Sequence, residues 1–188
     1  MNAEIDLSGV ILKTERLILR PWRETDLDDF YEYASVEGVG ESAGWVHHQS
    51  PDETRTVLAA FIREKKTFAI EHGGKVIGSL GIECYDEAAL PELHDMRGRE
   101  LGFVLSKAYW GKGLMPEAAE AVLEYLFCQV RLDLVVCRHF AENLRSKRVQ
   151  EKCGFRFYKT SRYQTQYGAV KDDCINLLCK EDYLQAHA

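Results

Sequence analysis

Between an apolar run that ends at Leu105 and another that starts near Pro116, the chain reads Ser106-Lys-Ala-Tyr-Trp-Gly111-Lys112-Gly113-Leu-Met-Pro116-Glu117. Two glycines this close, at a strand-to-helix junction, suit an anion. Glycine lets the backbone come near a ligand, and the first amides of a helix are unpaired donors at the positive end of its dipole, an arrangement that favours phosphate. Lys112 adds a positive charge. The turn is neither of two common phosphate loops. A dinucleotide fingerprint needs glycine where Pro116 stands, and a Walker loop ending at Gly111-Lys112 needs glycine at Ser106 and a hydroxyl residue at Gly113. A second pattern, Gly40-Glu41-Ser42-Ala43-Gly44, has the spacing of a serine-hydrolase nucleophile, with His139 as a partner base. That elbow requires a strand directly before the serine and a helix directly after it. Here the preceding Asp28 to Ser35 is helical in pattern and the next helix starts only at Pro51, so Ser42 as a nucleophile is a remote alternative. His47 and His48 lack a third ligand at metal spacing, and no metal is expected.

The elements that must position these residues follow from periodicity and caps. Arg16 to Arg20 alternates like a half-buried strand, and Thr25 with Asp28 resembles a capping box opening a helix on Leu27, Phe30, Tyr31 and Ala34. Ser50-Pro51 starts a second helix that runs to about Glu64, proline being harmless at a first helical position. Thr67 to Glu71 and Val76 to Ile82 flank Gly73-Gly74, a pair able to take the positive φ angles of a tight hairpin. Glu100 to Leu105 is a strand, Pro116 to Phe127 a helix and Leu132 to His139 a strand, a βαβ unit that makes its two strands parallel. Asn143 caps a further helix closed by Gly154, and Phe155 to Tyr158 and Ile175 to Leu178 are closing strands. The fold class is α/β (α+β), with a mixed, mostly antiparallel sheet.

The order of these segments carries a resemblance. Glu100-Leu-Gly-Phe-Val-Leu before the turn, Asn143-Leu-Arg-Ser146 after it and then Glu151-Lys-Cys-Gly-Phe155 resemble the GNAT superfamily of acetyl-CoA-dependent N-acetyltransferases. Thr14-Glu-Arg-Leu-Ile-Leu-Arg-Pro21 and Lys171-Asp-Asp-Cys-Ile-Asn-Leu-Leu are similar to its branch of ribosomal-protein N-terminal (alanine/serine) acetyltransferases, so the likeness spans about Leu12 to Leu184. The resemblance implies a twisted sheet with helices on both faces. Its one parallel pair splays where the pantetheine arm of acetyl-CoA enters like an extra strand. It also implies that the backbone of Phe103, Val104 and Leu105 holds the arm, that Trp110, Gly111, Lys112, Gly113, Leu114 and Met115 cradle the pyrophosphate, and that Asn143 contacts the arm. One departure is Ala108, where the family often carries Gln or Arg.

Acetyl transfer needs a neutral amine, yet α-amines and lysines have reference pKa values near ~7.7 and ~10.4, so a base is useful. Glu100 matches a position where relatives carry glutamate and is expected to act through water, with a backbone N–H such as that of Val104 polarising the thioester carbonyl. The tyrosine that often protonates the leaving thiolate is replaced by Gln150, so Ser146 is the expected donor to the sulfur. The segment Gly38 to His48 matches a wall of the acceptor pocket, with Trp45 and His47 as candidate substrate contacts. The implied activity is transfer from acetyl-CoA to a primary amine, a protein N-terminus or a small molecule, by direct attack in a ternary complex without metal. A noncatalytic acyl-CoA-binding module or sensor is the alternative.

Composition agrees with a compact globular domain. The chain has 188 residues, 46% of them apolar and 11% aromatic, enough for one core without staples and inconsistent with wholesale disorder. Residues 1–188 are expected to form a single domain. A net charge of −6 gives no general attraction to nucleic acid or anionic lipid, and neither is expected as a partner. The six cysteines include no Cys-x-x-Cys pair and are expected to be reduced core residues. The acidic start, Met-Asn-Ala-Glu-Ile-Asp, and the lack of any apolar run of ~20 residues suggest a cytoplasmic protein. Monomer and homodimer both remain open.

Overall fold

A computed structural model describes residues 1–188. Eight strands form one sheet: β1 Leu12–Lys13, β2 Ile18–Pro21, β3 Thr67–His72, β4 Lys75–Glu83, β5 Gly98–Leu105, β6 Leu134–Phe140, β7 Arg156–Gln164 and β8 Val170–Cys179. Their order is β1-β2-β3-β4-β5-β6-β8-β7. Only β5 and β6 run parallel. Gly73 and Gly74, at φ +59° and +83°, make the β3–β4 turn, both in the left-handed region that a two-residue hairpin turn demands.

Five helices cover the sheet: α1 Leu27–Ala34, α2 Pro51–Glu64, α3 Leu114–Glu124, α4 Leu144–Lys152 and α5 Lys180–Ala186. They lie on both faces. Ala118, Val122 and Leu123 of α3 and Tyr183 of α5 pack with Leu101, Leu105 and Cys137 of the parallel pair, while Phe30 and Tyr33 of α1 and Leu58 of α2 pack with Trp22, Ala69 and Val76 on the opposite side. A smaller cluster under the 85–96 loop joins Tyr85, Leu90 and Leu93 to Leu134, Val136 and Ile175.

Polar groups pin the start of this framework. Arg20, 5% exposed, grips Asp26 with two parallel bonds of 2.8 Å and Glu71 with one of 2.7 Å. Asp26 also accepts from the Arg23 amide at 2.8 Å, so it is Asp26, and not a Thr25–Asp28 box, that ties down the entry to α1. Ser50 caps α2 as its sequence signals, accepting from the Glu53 amide at 3.3 Å. Other boundaries move. The third helix starts earlier and passes after Glu124 into a wider turn at Tyr125–Gln129, β7 and β8 extend well beyond their apolar cores, and α5 was not legible. Cys137 and Cys153 are buried, whereas Cys84 and Cys128 are exposed, which corrects the expectation that the cysteines belong to the core. No helix is long and apolar enough to cross a membrane.

Candidate active site

The parallel pair comes apart partway along. Pairing runs from Gly98–Leu134 to Leu101–Cys137 and then stops, although β5 continues to Leu105 and β6 to Phe140. Antiparallel ladders alternate, so one bond fixes which amides face each neighbour. Ser106 N–H donates to Ile77 O at 2.8 Å, which directs Gly102 and Val104 to β4 and turns the backbone groups of Phe103 and Leu105 toward the gap. Ala141 N–H donates to Asp172 O at 3.0 Å, which likewise turns the backbone of Arg138 to the gap. The Val104 amide is therefore taken up inside the sheet. The amides that face the gap are those of Phe103 and Leu105.

At one end of the gap lies the glycine turn. Gly111 and Gly113 sit at φ +75° and +76°, a conformation that costs other L-residues about 1–2 kcal/mol. None of the amides from Gly111 to Met115 finds a protein acceptor. Alternating hands with successive free N–H groups, set at the start of α3, make an anion-binding nest. Neighbours hold the turn in place. Trp110 donates its indole N–H to Leu105 O at 2.7 Å, and Arg16 reaches Lys112 O at 3.0 Å while pairing with Glu117 at 2.6 Å. Lys112 is exposed on the outer side, its ammonium 5.0 Å from the centre of the Tyr109 ring. The cations on the cleft wall beside the turn are instead Arg145, Arg148 and Lys152 of α4, with Arg145 stacked 4.1 Å over Trp110. Their helical spacing was visible in the sequence, but not the side they face.

Together these edges enclose a cleft of about 520 Å³ lined by Phe103, Val104, Leu105, Trp110, Gly111, Gly113, Leu114, Met115, Asn143 and Ser146, with Glu100 in its wall. Glu100 has no hydrogen-bond partner in the protein, and burial pushes its carboxyl up to about 7, against the pull of Arg138 and with the push of Asp173, Glu83 and Asp86. Arg138 and Asp173, both on the wall and paired at 2.6 Å, were not foreseen, because they become neighbours only through the β6–β8 pairing. Burial also raises the Asp173 carboxyl, with Arg138 opposing.

Asn143 caps α4, its Oδ1 accepting from the Ser146 amide at 3.1 Å while its Nδ2 donates to Ser42 O at 3.1 Å. Gln150, 2% exposed, donates through Nε2 to Arg138 O at 3.0 Å and to Ser146 Oγ at 3.2 Å, and accepts from Asn176 at 2.6 Å. A carbonyl only accepts, so the amide must present its NH₂ on that side. The Ser146 oxygen then accepts from Gln150 and keeps its own proton free to donate.

The 38–48 segment reaches the cleft through residues other than the two expected. Glu41 accepts from the Gly38 amide at 2.6 Å and lies 2.8 Å from the His47 ring; these bonds outweigh burial and bring its carboxyl down to about 2. His47 is thereby engaged away from the cleft. Trp45 packs over Gly40, where an added Cβ would lie 2.3 Å from its ring, and against the α1–α2 cluster. Neither lines the cleft, whereas Ser42 and Ala43 of the same segment do. The Ser42 hydroxyl donates to Val39 O at 2.7 Å from a short turn at Glu41–Ala43 with no strand before it, so the hydrolase elbow is absent. No group of three or more His, Cys, Asp or Glu side chains is arranged to hold a metal ion.

This combination of a splayed parallel pair and an amide nest at the helix start defines a class, and comparison gives its name. The acetyltransferase (GNAT) domain matches residues 16–156, and the chain belongs to that family of enzymes, which use acetyl-CoA. The N-acetyltransferase YoaA of Bacillus subtilis is 27% identical over 178 residues, covering 90% of this chain and 97% of the relative. Among solved structures, a GNAT-family acetyltransferase from Bacillus anthracis superposes with a TM-score of 0.78 at 24% identity, covering 92% of this chain and 99% of the other. The ribosomal-protein-S5-alanine acetyltransferase from Vibrio fischeri gives 0.70 at 18%, covering 93% and 98%. The microcin C7 self-immunity acetyltransferase MccE, solved with acetyl-CoA and AMP, gives 0.71 at 13%, covering 88% and 93%. These three likenesses establish the fold.

Proposed function

We propose that residues 1–188 act as one N-acetyltransferase domain that moves an acetyl group from acetyl-CoA to a primary amine by direct attack in a ternary complex. The observation that carries this reading is the gap between β5 and β6, opening directly onto five unpaired amides from Gly111 to Met115. Those amides and Trp110 suit a diphosphate, Arg145, Arg148 and Lys152 add the charge that Lys112 was expected to supply, and the backbone of Phe103 and Leu105 supplies the edge to which an extended amide-bearing arm can bond. Asn143 holds the far side of the entrance through Ser42.

Acetyl-CoA supplies the activated thioester; the chain's own residues do the rest. Glu100, with a carboxyl near 7, is half-ionised around neutral pH and takes the amine's proton through water. As the nitrogen–carbon bond forms and the carbon–sulfur bond breaks, the Phe103 amide, rather than that of Val104, stabilises the charge on the carbonyl oxygen. Ser146 offers its free proton as a hydrogen bond to the departing thiolate. A thiol of pKa ~8.5 needs little more help, which is why Gln150 in place of a tyrosine is tolerable.

Two measurements test this. Acetyl-CoA at ~100 times its dissociation constant should stabilise the protein by ~2.7 kcal/mol in thermal melts. A panel of amines and N-terminal peptides should release free coenzyme A, with an acetyl mass gained by one acceptor. Absence of any melting shift sinks the reading; a shift without transfer to any acceptor leaves a binding module.

A further inference from the structure

The acceptor half of the cleft holds a cation that the mechanism above leaves without a task. Arg138 lies on β6 with Nε and Nη2 both held by Asp173 Oδ2, at 2.7 and 2.6 Å, and Nη2 facing Ser161 Oγ at 3.4 Å. Its third nitrogen, Nη1, has no acceptor in the protein. The side chain is 17% exposed in the cleft wall, while the Asp173 side chain that orients it is 2% exposed. Asp173 thus fixes the plane of the guanidinium and leaves one charged donor presented to whatever enters.

The strand across the gap leaves room on this face, while the centre of the Tyr163 ring lies 5.6 Å from the guanidinium carbon. Gly102 stands one step beyond the last β5–β6 pair, level with Arg138 across the gap, and a Cβ added to it would meet nothing within 4 Å. Glu100 is two residues back on the same face of β5, roughly 7 Å away along the strand. Phe140 and Tyr163, with ring centres 5.6 Å apart, close the side. An acceptor in this space meets a carboxyl at one end and an unsatisfied guanidinium nitrogen at the other, against an aromatic wall.

We propose that the acceptor is an amine carrying a carboxylate close to its nitrogen, an α-amino acid or near relative, with the carboxylate bound to Nη1 of Arg138 and the nitrogen on the Glu100 side. This rests on the acetyl-transfer reading of the same cleft. A peptide terminus or a plain amine offers that nitrogen a neutral carbonyl or nothing, whereas a carboxylate adds the Coulomb attraction of a full opposite charge to the hydrogen bond. The chemistry balances as before: the nitrogen gains the acetyl group, its proton passes through water to Glu100, and the sulfur leaves as thiolate.

The experiment measures coenzyme A release, with product masses, for the free amino acids, their amides, the matching decarboxylated amines and short peptides. At least one free amino acid should exceed its amide and its decarboxylated amine in kcat/KM by 10-fold or more. Arg138→Gln should bring that ratio to within about 2-fold while the melting shift with acetyl-CoA persists. Because Arg138→Gln strands a buried Asp173, the double variant R138Q/D173N repeats the comparison without an unpaired charge. An amide, amine or peptide that equals the free amino acid in the wild type overturns the carboxylate anchor and leaves acetyl transfer standing. Release from no acceptor overturns both.

Discussion

Replacing Glu100 by glutamine removes the ionisable group and keeps its shape, and the structure gives two linked expectations. The carboxyl is raised from 4.5 to about 7, with burial the main cause, so between those values the folded chain binds a proton that the unfolded chain has released. Stability therefore falls as pH rises through this window. Above it wild type carries a penalty of about 3 kcal/mol, at 1.36 kcal/mol per pKa unit. Glu100→Gln should lift that penalty, raising Tm by roughly 6–12 °C near pH 8 and by little near pH 4, at ~2–4 °C per kcal/mol for a chain of this size. Activity should move the opposite way, with kcat/KM falling by about 10²–10⁴. In wild type, kcat/KM should climb with pH to a plateau, with a midpoint near 7 that stays put when acceptors of different amine pKa are compared; a limb that tracks the acceptor belongs to the acceptor. Melts at both pH values and initial rates of thiol release decide the matter. An E100Q enzyme as fast as wild type near pH 8, or one with no stability gain there, would refute a buried base at this position.

Further perturbations isolate the other parts. Ser146→Ala should lower kcat by about 10–100-fold, the worth of a hydrogen bond to a charged atom, and the loss should shrink with acetyl thioesters of more acidic thiols; an equal loss for all donors would argue against contact with the sulfur. Gly113→Ala, forced to φ +76°, should weaken acetyl-CoA binding by about 1–2 kcal/mol in calorimetry, and unchanged affinity would remove the turn from the binding site. Asp26→Ala leaves Arg20 buried with Glu71 as its single carboxylate partner and should cost about 3–5 kcal/mol in denaturant unfolding. A loss below about 1 kcal/mol would show that water or relaxation replaces the pair.

The sequence exposed what is local. The strand, glycine turn and helix from Gly98 to Glu124, the Gly73-Gly74 hairpin and the Ser50-Pro51 helix start are each written within a dozen or so residues, where periodicity and backbone chemistry act directly. Asn143 and Ser146 are likewise visible as a cap and its first turn. The acceptor side was not legible, because Arg138, Tyr163 and Asp173 belong to three strands that meet only through long-range pairing. Trp45 and His47 misled for a different reason: their types fit a pocket, but in a segment with no helix or strand period to orient them, Glu41 and the bare backbone of Gly40 draw them into the loop's own packing. Gln150 stands where the resemblance puts an acid, and only the folded chain reveals that its amide donates to Ser146 and so orients that hydroxyl.

That same amide has a mechanical consequence. The Arg138 carbonyl faces β5, where continued parallel pairing would claim it, and Gln150 from α4 occupies it first. With Asn176 anchoring its other end, the side chain is a wedge that stops the two strands from zipping together beyond Leu101. The slot is thus kept ajar by the protein itself and needs no visitor to pry it open, so little of a ligand's binding energy is lost to rearranging the sheet.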